Sequence, residues 1–270
     1  DRRSISGNLE LQTGVRLDLW ENLEAQWAFN PRIGLLWRPA ERISLRGALY
    51  KGFRAPTLNE LYRPFRVGNI VTSANSELGS EKLWGGEAGV ELYPGESLLV
   101  RINGFWNRLD DPVANVTLSV SEELIQRQRQ NLGHARVAGV ESDFSWQIAA
   151  NWFLEVAYLY LDSEVSETRL EIPQVPRHQA SAGIAYRGPW TVSLRTRAAG
   201  SQFEDDRNEF PLGGYGLIDL FAERSLSEHL ALFLGANNLA DKRFVTGRTP
   251  QERLGEGRLV QGGIRLRLGE

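Results

Sequence analysis

Ile43-Ser44-Leu45-Arg46-Gly47-Ala48-Leu49 places an apolar or glycine residue at every second position, with Arg42, Ser44, Arg46 and Ala48 on the alternate positions. A strand turns successive side chains to opposite faces, so this spacing specifies a strand with one face against an apolar phase and the other in water. The pattern recurs along the chain. Leu98, Val100, Ile102, Gly104 and Trp106 alternate with Ser97, Arg101, Asn103 and Asn107. Leu230, Leu232, Leu234 and Ala236 form a third stripe, and Val260, Gly262, Ile264, Leu266 and Leu268 a fourth, set against Gln261, Gly263, Arg265 and Arg267. Such runs reach the roughly ten residues that a tilted strand needs to cross a bilayer, about twice an ordinary globular strand.

Extending this reading predicts strands near 8–20, 26–39, 41–53, 82–94, 97–109, 130–148, 152–163, 175–187, 190–202, 213–224, 229–239 and 257–268. The connections alternate in length. Short turns are expected at Arg38-Pro39-Ala40-Glu41, Tyr93-Pro94-Gly95-Glu96, Ala149-Ala150-Asn151, Arg187-Gly188-Pro189 and Leu226-Ser227-Glu228. Between them lie longer irregular segments at 54–81, 110–129, 164–174, 203–212 and 240–256. Tight turns on one rim and long loops on the other are the layout of an antiparallel up-and-down transmembrane β-barrel of the bacterial outer membrane. Aromatic residues near strand ends, among them Trp37, Tyr50, Trp84, Tyr93, Trp106, Trp146, Trp152, Tyr186 and Trp190, are expected to form two interfacial girdles.

Composition narrows the functional classes. The chain has 270 residues, 31 basic and 34 acidic, for a net charge of -3, and so lacks the basic field that nucleic-acid binding requires. Mean hydropathy is -0.34, which is uninformative for a barrel because its inward positions are polar. The absence of cysteine removes disulfides and thiolate metal sites. The absence of methionine, and of a signal sequence after Asp1, leads to the expectation of a processed protein or a piece of a longer one.

Asn30-Pro31-Arg32-Ile33-Gly34, followed by a hairpin and then 52–62 (Gly-Phe-Arg-Ala-Pro-Thr-Leu-Asn-Glu-Leu-Tyr), resembles the barrel of TonB-dependent outer-membrane receptors. Asn75, Leu78 and Glu81 with Glu87-Ala88-Gly89 resemble the segment where an outer loop of that family descends into the next strand. Asn131-Leu132-Gly133 with 135–141, and 237–244, continue the match in order. The resemblance implies a barrel of about 22 strands, of which about twelve would be supplied by residues 1–270 as a single C-terminal barrel portion. The family's N-terminal plug and TonB-binding segment are expected to be absent, so TonB would be a partner only through that region. The family also tends to end on an aromatic residue, where this sequence has Leu268.

What the resemblance implies for function is import of a large scarce solute, such as a ferric siderophore or a cobalamin, with this chain supplying wall and ligand-binding outer loops. Arg54, Asn59, Tyr62, Arg63, Phe65, Arg66 and Asn69 fall in the longest predicted loop, and Arg127, Arg129, Gln202, Phe203 and Arg248 on the same rim. Guanidinium groups pair with carboxylate or catecholate oxygens and aromatic rings cover flat apolar parts of a ligand, a combination suited to an anionic chelate. The opposite faces would line the lumen: Arg16, Asp18, Arg42, Arg46, Glu87, Glu91, Arg101, Asn103, Glu141, Asp143, Glu155, Arg177, Gln179, Arg195, Arg197, Arg265 and Arg267. Outer-membrane lipid is the other expected partner; no cofactor, metal site or catalytic residue is expected. Two alternatives remain at this stage. One is a passive pore or adhesin, closed by pairing the strands near 8–20 and 257–268. The other is an outer-membrane hydrolase using Ser142 and His178.

Overall fold

The computed structural model describes residues 1–21, 25–121 and 123–266; Arg267 and Leu268 lie outside these. Among the described residues, thirteen strands follow one another in a single antiparallel sheet. They are Arg2–Ser6, Leu9–Glu21, Ala25–Ala40, Ile43–Arg54, Glu81–Gly95, Leu98–Asp110, His134–Ala149, Trp152–Val165, His178–Arg187, Trp190–Ala199, Tyr215–Ser225, Leu230–Asn237 and Leu259–Leu266. The strand not anticipated is Arg2–Ser6. It pairs with the outer edge of Leu9–Glu21, with Arg2 opposite Gln12 and Arg3 opposite Leu11. That pairing occupies the edge expected to close on the last strand, and no ladder joins Leu9–Glu21 to Leu259–Leu266 among the described residues.

Register carries the alternation from strand to strand. Trp37 lies opposite Leu45, Leu35 opposite Gly47 and Ile33 opposite Leu49; Leu45 in turn faces Val90, and Leu49 faces Gly86. The result is a continuous outward apolar surface, on which Leu49 is 65% exposed and Trp27 72%. In a soluble protein an apolar face of this size would have to be covered; here it is the face that meets lipid. Trp146, Trp152 and Trp190 stand outward beside the short turns, with the Trp152 and Tyr186 rings 5.2 Å apart and Arg224 4.9 Å over Trp190. Trp84, Trp106, Tyr158 and Tyr160 mark the opposite girdle.

Tyr50 and Tyr93 belong to neither girdle, because their parity places them inward. The Tyr50 hydroxyl donates to Asn107 Oδ1 at 3.0 Å, passing over Gly85, where a Cβ would lie 2.2 Å from the ring. Tyr93 donates to Glu91 at 2.6 Å, and Glu91 also takes the Arg101 Nε at 2.6 Å. The inner wall carries charges of both signs, with apolar residues such as Leu36, Phe105 and Phe233 among them. Glu10 binds Arg2 and Arg38, Asp18 binds Arg16 and Asn30, and Glu223 binds Arg265. A lumenal recess of about 520 Å³ is lined by Asp143, Glu155, Arg195, Arg197 and Asp219 among others.

The long-loop rim departs most from expectation. The segments 54–81 and 110–129, expected to be irregular, contain a helix and four strands. Phe65–Val67, Ile70–Ser73, Ile125–Asn131 and Val113–Val120 form a second sheet in that order. Its central contact is parallel, Ile70–Ser73 against Ile125–Gln128.

Candidate functional site in the outer loops

The loop cap is built from its roots. Thr57-Leu58-Asn59-Glu60 is a capping box: Glu60 N–H donates to Thr57 Oγ1 at 3.3 Å, and Thr57 N–H to Glu60 Oε2 at 2.7 Å. It starts the helix Leu58–Tyr62, which ends before Pro64, where a missing N–H and a clash with the preceding residue forbid continuation. Arg54 binds Glu81, with Nη2 2.8 Å from Oε1, and Glu60, with Nη1 3.0 Å from Oε2. Burial works against ionisation of Glu60, but hydrogen bonds from Arg54 and Thr57 outweigh it and hold the carboxyl below its ordinary value of 4.5.

Residues that carried the family resemblance act as pins at these roots. Asn75 Nδ2 donates to the Arg129 carbonyl at 3.0 Å, Asn131 Oδ1 accepts Gly79 N–H at 2.8 Å, and Glu81 Oε1 accepts Val113 N–H at 2.6 Å. Asn238 is 2% exposed; its amide spans the carbonyls of Lys242 and Glu256 at 3.0 and 2.9 Å.

A hub missed by sequence reasoning holds the loop tips together. Glu204, 5% exposed at its side chain, accepts the backbone N–H groups of Arg248 and Thr249. Asp205 accepts from Glu209 and Phe210 at 3.0 and 2.8 Å, closing the turn. Asp206 Oδ1 accepts Thr117 Oγ1–H at 2.6 Å, and Asn208 exchanges two hydrogen bonds with the Glu171 backbone. Loop 200–214 therefore ties together the Val113–Val120 hairpin, the 166–177 loop and the 238–258 loop. The signal was the run Glu204-Asp205-Asp206-Arg207-Asn208, whose short side chains satisfy turn backbones. At the other contact, Gly68 has φ +59, and a Cβ there would lie 2.7 Å from Pro250.

The twelve anticipated site residues divide by what their side chains do. Arg54 is a root brace. Arg129 Nη1 donates to the carbonyls of Asn59 and Arg63 at 2.5 and 2.9 Å, and its guanidinium lies 5.1 Å from the Phe65 ring centroid, so Asn59, Arg63, Phe65 and Arg129 are brought together. Arg66 Nε turns back to the Gly68 carbonyl at 2.8 Å. Tyr62 is exposed on the helix, and Phe203 accepts at its carbonyl from Gln174 N–H at 2.7 Å. Among the described residues the guanidinium groups of Arg63 and Arg248 have no hydrogen-bond or ion-pair partner. Asn69 Oδ1, Arg127 Nε and Gln202 Oε1 are shielded from solvent and equally unpartnered. No hydrogen bond, ion pair or ring contact joins the Arg129 group to Gln202, Phe203 or Arg248 among the described residues; they share one cap through the hub and the Gly68–Pro250 contact.

Residues 1–239 match the family described as TonB dependent receptor-like, beta-barrel. The chain belongs to the TonB-dependent receptor family. It is similar to the probable TonB-dependent siderophore receptor PiuA of Acinetobacter baumannii, at 24% identity over 68% of this chain and 30% of that protein. It is also similar to the metal-pseudopaline receptor CntO of Pseudomonas aeruginosa, at 27% identity over 82% of this chain and 30% of that protein. The chain thus spans less than half the length of these curated relatives. Among solved structures, the copper transporter OprC superposes with TM-score 0.80 at 19% identity, over 98% of this chain and 46% of that one. The ferric enterobactin receptor PfeA of P. aeruginosa gives 0.79 at 18%, over 98% and 44%. These superpositions establish the barrel fold.

Membership places the chain in the bacterial outer membrane, in a family of transporters and receptors rather than enzymes. The hydrolase alternative also fails on geometry. His178 Nδ1 lies 2.7 Å from the Tyr158 hydroxyl, and its ring packs 5.4 Å from Tyr160. No hydrogen bond links His178 to Ser142 among the described residues.

Proposed function

We propose that this chain supplies barrel wall and ligand-binding loops to a receptor importing a large, scarce, anionic metal chelate of the ferric-siderophore class. The observation that carries the reading is the coincidence of unpartnered polar groups with one folded cap: Arg63 and Arg248 at its surface, and Asn69, Arg127 and Gln202 within it. Buried polar atoms are nearly always satisfied, so orphans concentrated beside cations are what a ligand with many oxygen acceptors and some donors would complete. The relatives named for siderophore and pseudopaline receptors support the same class. The polar inner wall, with both signs and wet recesses, suits a plug held by hydrogen bonds and ion pairs, through which TonB would act.

Binding of a ferric catecholate to the full-length receptor, followed by tryptophan quenching, tests this. Loss of two charge-assisted contacts in Arg63→Ala/Arg127→Ala removes about 2–4 kcal/mol, discounted for exposure, and weakens binding by about 30-fold or more. Cyanocobalamin, which lacks a compact array of anionic oxygens, should be indifferent to the two substitutions. Equal affinity of wild type and double variant for the chelate would remove the reading.

A further inference from the structure

The sheet parts between Ala25–Ala40 and Ile43–Arg54. Ala25–Ala40 pairs with Ile43–Arg54 only from Arg32 opposite Tyr50 down to Ala40 opposite Ile43. Above that level Ala25–Pro31 remains paired with the strand before it, and Lys51–Arg54 with the strand after it, so the two edges splay. Pro31, which has no N–H to give, stands where the ladder stops.

Two recesses occupy the opening. One, of about 290 Å³, is lined by Trp27, Ala28, Asn30, Lys51, Phe53, Ser80 and Lys82. The other, of about 600 Å³, continues from Val15, Asn30, Lys51 and Phe53 on to the inward side chains of Arg16, Arg32, Tyr50 and Glu87. Asn30 is common to both and only 6% exposed. Its Nδ2 donates to Asp18 at 2.7 Å, while its Oδ1 has no partner. Lys51 and Lys82 share the outward parity of Leu49 and Trp84; Lys51 Nζ lies 5.2 Å from the Trp84 ring centroid. Neither lysine makes an ion pair among the described residues. The opening therefore lies at the outer aromatic girdle, where headgroups of the outer leaflet meet acyl chains.

We propose that this slit binds an acylated, phosphorylated lipid of the outer leaflet. Lys51 and Lys82 face the anionic headgroup, Trp27 and Phe53 lie along an acyl chain, and a hydroxyl or amide N–H beside that chain donates to Asn30 Oδ1. A zwitterionic lipid offers no net charge to the lysines. Phosphatidylglycerol has the charge and hydroxyl donors on its headgroup, but no donor beside its acyl chains.

The test uses the full-length receptor in nanodiscs containing diphosphoryl lipid A, phosphatidylglycerol and phosphatidylcholine, with lipid retained after detergent washing quantified by mass spectrometry. Lipid A should be retained in preference to both others. Lys51→Gln/Lys82→Gln should lower that retention by about tenfold or more, and Asn30→Ala should lower it while leaving phosphatidylglycerol unchanged. Heat-modifiable mobility on gels checks that each variant is folded. Because Asn30 also holds Asp18, the lysine pair serves as the decisive variant if Asn30→Ala does not fold. Equal retention of the three lipids by wild type, or undiminished retention of lipid A by the folded lysine variant, would overturn the assignment.

Discussion

Arg129, one of the anticipated rim arginines, braces the end of the loop helix, which makes Arg129→Ala the most informative substitution in the cap. Its Nη1 holds the carbonyls of Asn59 and Arg63 at 2.5 and 2.9 Å at the C-terminal end of the Leu58–Tyr62 helix, where the Asn59 carbonyl also takes the capping Arg63 N–H and a cation complements the helix dipole. The guanidinium also covers Phe65 at 5.1 Å. Two charge-assisted bonds, discounted because the group is partly exposed, contribute about 1–2 kcal/mol together, and the ring contact about 0.5–1 kcal/mol. Removing them should free the helix end by about 1.5–3 kcal/mol, or about 10- to 150-fold in local opening. Hydrogen exchange reads this at the Arg63 amide, which donates to the Asn59 carbonyl at 3.1 Å. The Gly79 amide, held by Asn131 at 2.8 Å, serves as a control and should not respond. Arg129→Lys should restore only part of the protection, because an ammonium lacks the planar fork. If Arg63 exchange is unchanged while chelate affinity collapses, Arg129 touches ligand and the bracing argument is wrong.

Glu204→Gln should speed exchange at Arg248 and Thr249 by about tenfold to a hundredfold, since both amides donate to Oε2 of a buried carboxylate and a neutral amide gives up the charge that strengthens those bonds; unchanged exchange there would deny the hub its role. Gly85→Ala should cost about 1–3 kcal/mol in a urea titration of the detergent-folded full-length receptor, because the new methyl meets the Tyr50 ring. Adding Tyr50→Ala should recover part of that cost, and strict additivity would count against the contact. Glu60 sets a pH dependence: its folded value is depressed, so its stabilisation is full above about 4.5 and is lost as pH falls through the lowered value. Protection of the Leu61 amide should accordingly be flat from neutrality to about pH 4.5 and drop below it, and Glu60→Gln should flatten the profile; loss already near neutrality would refute the assignment.

The lipid-facing stripes were legible because a bilayer imposes period-two patterning on each spanning strand independently of its partners. Ile43 to Leu49 could be read without knowing that Leu45 faces Trp37 and Val90. Tyr50 shows the limit of that independence. Its even position, shared with Arg46 and Ala48, places it inward, but its fit depends on Gly85 on the adjacent strand and Asn107 on the strand beyond it, a register no local pattern reveals. The loop cap was illegible for a stronger version of the same reason. Ile70–Ser73 and Ile125–Gln128 are short, parallel and distant in sequence, so neither alternation nor a turn signal announces their pairing. The capping box at Thr57 to Glu60 was written in plain sequence, yet residue type drew attention to nearby arginines instead.

An arginine in a loop has the same chemistry whether it faces a carboxylate of the protein or of a ligand, so composition alone could not separate the two uses. The donors already engaged support the proposed division. The donors of Arg54 are engaged by Glu60 and Glu81, Arg129 is engaged by the helix end, and Arg66 is turned toward Gly68. Arg63, Arg127 and Arg248 keep donors uncommitted in a cap whose backbone is otherwise heavily cross-tied. On the proposed reading, a rigid frame with uncommitted cations would let the chelate bind without the entropy of ordering the loops. The side chains that fix the frame and those that remain available are thus different residues, so substitutions in the first group should alter exchange and those in the second should alter affinity.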